Sequence, residues 1–170
     1  MTVLADALCK SKVRRVDLSD NHLTGHAFRK FSGLARLISH CIPYGFEVFR
    51  LRKNGINSLG LALFSGALGG LSNLQELDLS DNMIGKDPFG RHNNEGMRAI
   101  CINLSQTHSL KKLLLARNFL QDEEIIELSR AICRMPNLAL LNLAGNEMRG
   151  IGMEALKAAI VGHGSFFKVR

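Results

Sequence analysis

Leu74-Gln75-Glu76-Leu77-Asp78-Leu79-Ser80-Asp81-Asn82 is the stretch whose reading decides the fold. Its first, fourth and sixth residues are leucine and those between are polar, the period-two pattern of a half-buried strand. An asparagine follows eight residues after the opening leucine. The same frame recurs as VRRVDLSDN from Val13, FEVFRLRKN from Phe46, LKKLLLARN from Leu110 and LALLNLAGN from Leu138. Asn21, Asn54, Asn82, Asn118 and Asn146 therefore stand in one column. Ten residues beyond the asparagine, four of the five units place another large apolar residue: Phe31, Phe64, Leu128 or Leu156. From Val13 through Phe46, Leu74, Leu110 and Leu138 to Phe166 the steps are 33, 28, 36, 28 and 28 residues. The frame is thus a 28-residue repeat with two insertions, five residues around CIPYG and eight around KDPFGRHNN. A period of this length means a stack of supersecondary units, each burying its apolar face against the next.

At these residues the chain resembles the leucine-rich repeat family, whose frame L-x-x-L-x-L-x-x-N-x-L it carries throughout. The long unit is similar to that of the ribonuclease-inhibitor-like branch. The resemblance implies a right-handed α/β solenoid, a horseshoe with parallel strands on its concave face and helices on its convex face. It also implies a protein-interaction role, since that branch includes inhibitors, GTPase activators, actin-regulating scaffolds, ciliary components and innate-immune sensor domains.

The residues themselves give the same architecture. After each asparagine, segments such as MEALKAAI and EIIELSRAI space their apolar residues by three and four, as an amphipathic helix does. Parallel strands stack about 4.8 Å apart while packed helices need roughly 8 to 10 Å, so the units splay on the helical side. Gly85 and Gly150 fall in the turns between strand and helix, where positive φ is expected of them. An asparagine side chain offers two donors and an acceptor, enough to tie the loop where the strand ends, so the column reads as structural. Residues 1–170 read as a single domain of five repeats starting near 13, 46, 74, 110 and 138, with partial repeats at both ends. Leu4, Ala7, Leu8 and Cys9 form an orphan helix, and Phe166 to Arg170 open a sixth strand. Solenoids normally carry polar capping units, so these ends imply a longer solenoid, or self-association through uncapped faces.

The 46 % apolar content suffices for such a core, and no apolar run approaches the ~18 residues of a membrane span. The N-terminal segment carries Asp6 and lacks the order of a secretory signal. Cys9, Cys41, Cys101 and Cys133 show no C-x-x-C spacing. Cys9, Cys41 and Cys133 sit where the repeat's helix ends, a position suited to a small buried side chain. Reduced thiols and the absent signal place the chain in the cell, in the cytoplasm.

Within each strand the third, fifth and seventh residues point into the hollow. The columns are Arg15, Val48, Glu76, Lys112, Leu140 and Lys168; Asp17, Arg50, Asp78, Leu114, Asn142 and Arg170; and Ser19, Arg52, Ser80, Ala116 and Ala144. Asp17, Arg50 and Asp78 are spaced for an alternating charge ladder. Leu114, Ala116, Leu140 and Ala144 then replace charge with an apolar patch flanked by Lys112, Arg117 and Asn142, the pattern of a docking site. The larger insertion holds a turn at Asp87-Pro88-Phe89-Gly90, with Phe89 at its tip as a second anchor.

Catalytic chemistry finds no support. His22 and His26 are four apart but lie in a turn without a third ligand, and phosphate-binding and nucleophile motifs are absent, so neither a metal nor a cofactor is expected. The net charge of +7 raises nucleic acid, which needs a continuous basic stripe with accessible aromatics. Arg15, Arg50, Arg52, Lys53, Lys112 and Arg117 are instead interleaved with Asp17, Asp20, Glu76, Asp78 and Asp81, and the chain has no Trp. The reading is a non-enzymatic scaffold that binds an intracellular protein on its concave face. Regulation of a GTPase, with Arg50, Arg52 or Arg117 near a phosphate, and a role in a ciliary or cytoskeletal assembly are the alternatives.

Overall fold

The computed structural model describes residues 13–23, 35–39, 45–163 and 168–169. Six strands form one parallel sheet in chain order: β1 Arg15–Asp17, β2 Val48–Arg50, β3 Glu76–Asp78, β4 Lys112–Leu114, β5 Leu140–Asn142 and β6 Lys168–Val169. Four helices alternate with the later strands: α1 Ser58–Gly69, α2 Glu95–Leu104, α3 Asp122–Ile132 and α4 Gly150–Gly162. Residues 35–39 are also helical. The register aligns Arg15, Val48, Glu76, Lys112, Leu140 and Lys168 across the sheet. Each side-chain column is therefore a real row of neighbours.

The strands are only two or three residues long, so the sheet is held by its contents more than by its length. Leu74, Leu77 and Leu79 are fully buried, as are their counterparts Phe46, Phe49 and Leu51. Leu110, Leu113, Leu115, Leu138, Leu141 and Leu143 are at most 1 % exposed. Behind them Phe64, Ile100, Leu128 and Leu156 project from the helices into the same core. Burying one such side chain contributes about 2 kcal/mol, and the repeat multiplies that term by layers. Phe46 and Phe49 stack with ring centres 5.8 Å apart, filling the layer that follows the first insertion.

Each of the first five strands leaves the sheet through a turn of left-handed backbone. Asp20, Lys53, Asp81, Arg117 and Gly145, each just before the column asparagine, have φ between 52° and 72°. Only the last is glycine, so the sequence hides this feature. Gly85 and Gly150 are not among the positive-φ residues, contrary to expectation. Gly85 is required by crowding instead: a Cβ there would collide with the Phe119 carbonyl of the next turn. Gly150 meets nothing within 4 Å and simply opens α4.

The cysteine reading needs a second correction. Cys133 is exposed at the end of α3, its thiol directed at the Ser129 carbonyl 3.7 Å away. Cys101 is the buried one, and burial pushes its thiol up to about 12. Cys9 and Cys41, the orphan helix at Leu4 to Cys9, Phe31, His26, Phe166 and Arg170 lie outside the described residues.

Candidate protein-interaction surface

The asparagine column stitches each unit to the one before it. Asn82 Oδ1 accepts the backbone N–H groups of Asn54 (2.9 Å) and Ile56 (3.0 Å), and its Nδ2 donates to the carbonyls of Leu51 (3.0 Å) and Leu79 (2.8 Å). Asn54 does the same for Asn21, Leu23 and Leu18, and Asn146 for Asn118, Leu120 and Leu115. Asn118 donates to Leu79, but its buried Oδ1 accepts no hydrogen bond. By the frame that oxygen faces the N–H groups of Asn82 and Ile84, in the turn that leads into the inserted loop.

That loop is tightly built. Asp87 Oδ1 accepts the N–H groups of Phe89 (2.8 Å) and Arg91 (2.9 Å), and the Gly90 N–H closes the turn on the Asp87 carbonyl at 3.0 Å. Gly90 has φ 78°. Phe89 is 81 % exposed at the tip, with the Arg91 guanidinium 5.1 Å from its ring centre. The base is anchored on both sides. The Ser58 N–H donates to the Lys86 carbonyl at 2.8 Å, and His92 Nε2 lies 2.9 Å from Glu124, a fully buried carboxylate on α3. His92 thus pins the loop to the next unit.

On the strand face the charge ladder is rewired. Arg50 Nη2 reaches Glu76 at 2.7 Å, whereas Asp17 is 3.8 Å away. Asp78 Oδ1 accepts the Ser80 N–H at 2.9 Å, so it caps its own turn rather than serving as a rung. Lys112 joins Glu76 from the other side at 3.3 Å. One turn further on, Arg52 reaches Asp81 Oδ2 at 2.6 Å, and Arg117 closes on the same carboxylate, with Nη2 2.9 Å from Oδ2. The Arg117 hydrogen bonds, with those of Arg52, lower the Asp81 carboxyl to about 2. Glu76 is also held below the ordinary range: its burial acts to raise it, and the bonds from Arg50 and Lys112 outweigh that.

The apolar patch is smaller than the sequence suggests. Ala116 is 4 % exposed and cannot line the surface. Ser80 in the same column is equally covered at 6 %. Arg52 in that column is exposed. Leu114, Leu140 and Asn142 are half-buried, and Ala144 is exposed. No group of three His, Cys, Asp or Glu able to hold a metal occurs among the described residues. No described helix is long and apolar enough to cross a membrane.

Family models for the leucine-rich repeat match residues 73–93 and 134–157. Those matches fall on the third and the fifth repeat unit. Human Toll-like receptor 8 is 38 % identical over 79 residues, 46 % of this chain and 8 % of the receptor. The chain thus corresponds to under a tenth of that relative. Among solved structures, Leiomodin-1 Actin-Binding Site 2 superposes with a TM-score of 0.67 at 15 % identity, covering 82 % of this chain and 77 % of that one. The tropomodulin C-terminal domain of Caenorhabditis elegans gives 0.66 at 12 % identity, covering 95 % and 92 %. These likenesses establish the solenoid fold.

Proposed function

We propose that this leucine-rich repeat chain is a non-enzymatic scaffold, ribonuclease-inhibitor-like in its long units, that docks an intracellular protein partner on the strand face. The observation that carries the reading is the pairing of half-buried Leu114 and Leu140 on adjacent strands, between Lys112, Arg117 and Asn142. The helices occupy the opposite face of the layer, so nothing in the solenoid's own repeat covers these side chains. Such a small apolar centre inside a polar rim is the anatomy of a docking site. Phe89 at the loop tip supplies a second contact.

The fold likeness to an actin-binding site of leiomodin-1 makes a cytoskeletal partner the first to try. The GTPase-regulator alternative rests on the exposure of Arg50, Arg52 and Arg117 alone. The test is co-sedimentation with actin filaments, alongside capture of partners on immobilised protein. Leu114→Glu with Leu140→Glu should abolish retention while leaving the helical circular-dichroism signal intact. Retention undiminished by the double substitution removes this face from consideration.

A further inference from the structure

Formal charges along the strand face nearly cancel, yet depth separates them. The Glu76 carboxylate side chain is 11 % exposed and that of Asp81 20 %. The cations that converge on them are far more open: Arg50 44 %, Lys112 52 %, Arg52 52 % and Arg117 57 %. Each sunken carboxylate is gripped from both neighbouring strands by two cations, so each cluster carries one surplus positive charge. A partner approaching β2 to β4 meets cation heads whose counter-charges lie below them. Asp78, the remaining carboxylate on β3, is half-buried and bound to its own turn.

We infer that the strand face recognises an acidic protein segment, its carboxylates set over the Arg50–Glu76–Lys112 and Arg52–Asp81–Arg117 clusters and an apolar side chain on Leu114 and Leu140. The inference rests on the docking-wall reading above and names the chemistry of the partner. Both halves of the segment are required by the surface, because the cationic clusters end on β4 where the leucine pair begins. A guanidinium already fixed by a buried carboxylate keeps free N–H groups toward solvent and loses little side-chain freedom on binding a second one. The sunken acids thus act as struts that hold the arginines upright.

Nucleic acid fits less well. Among the described residues the strands themselves offer no exposed aromatic for base stacking; the exposed Phe89 and Phe119 stand in the loop and turn beyond them. The cationic strip is also interrupted at β1, where Asp17 and Asp20 have side chains 56 % and 55 % exposed. Those outer acids would repel a phosphate backbone running along the horseshoe, but they set one limit for a short acidic segment lying across β2 to β4.

The test uses the whole chain and a short fluorescent peptide of glutamate with leucine at one end, followed by anisotropy at low and physiological salt. A single-stranded oligodeoxynucleotide of equal charge is the second arm. Arg52→Gln with Arg117→Gln should weaken the peptide by about tenfold or more and flatten its salt dependence. Asp81→Asn removes the strut but adds a net positive charge, and the peptide should bind it tighter. Circular dichroism establishes that each variant is folded, and Lys112→Gln reports on the second cluster independently. A peptide that does not bind at low salt, or whose binding ignores both sets of substitutions, overturns the inference. So does preferential binding of the oligonucleotide. If the peptide fails while the double leucine substitution still abolishes partner retention, the acidic-segment inference falls and the docking wall stands.

Discussion

A single asparagine shows how one side chain substitutes for sheet. Asn82 is 3 % exposed and serves the amides of Asn54 and Ile56 and the carbonyls of Leu51 and Leu79. Alanine there strands several buried backbone groups, and each unpaired group costs roughly 1 to 3 kcal/mol. Asn82→Ala should therefore lose about 3 kcal/mol or more by urea unfolding. Asn21→Ala should lose far less, since Asn21 is exposed and, among the described residues, its side chain bonds to its own turn. Asp81 carries a pH signature. Its folded-state value of about 2 lies below the ordinary 3.8, so its pairing stabilises the fold above about pH 4 and is lost as pH falls through about 2. Urea midpoints measured down that range should fall less steeply for Asp81→Asn than for the parent chain.

Among the elements, α3 and the inserted loop depend on each other. Glu124, fully buried three residues into the turn that starts α3, accepts the Gln121 N–H at 2.8 Å and faces His92 from the loop. Its removal deprives a helix start of its acceptor and the loop of its anchor. Glu124→Ala should cost about 2 kcal/mol and speed hydrogen exchange at the loop amides Asp87, Gly90 and Asn93, which are bonded within or at the base of the loop. Unchanged exchange there would show that the Ser58 anchor suffices. The loop's existence and turn are legible in the sequence, from the eight surplus residues and Asp-Pro-Phe-Gly. Its anchorage is not, because His92 and Glu124 are 32 residues apart and meet only once the units stack.

In the whole molecule stability runs along the stack. Leu77 on the third strand is packed between layers on both sides, while Val16 belongs to the first described strand. Nearest-neighbour coupling makes an inner layer support two interfaces and an outer layer one. Leu77→Ala should cost about 3 to 5 kcal/mol and Val16→Ala clearly less, with the midpoints of thermal unfolding as the measure.

The sequence alone determined the frame: the asparagine spacing sets which residues face inward, and the fully buried leucines and phenylalanines of the second to fifth strands occupy those positions. Local pattern is enough for that, because burial alternates with the strand's own period. Only the tertiary structure decided how the wall is presented. The columns were readable, yet which acid sinks and which arginine rises depends on partners from both neighbouring strands, as with Glu76 beneath Arg50 and Lys112. Ala116 is buried whereas Ala144, the same methyl group in the same column, is exposed, so residue type alone does not set depth. A one-dimensional frame fixes direction in or out; depth and pairing are properties of the stacked units together.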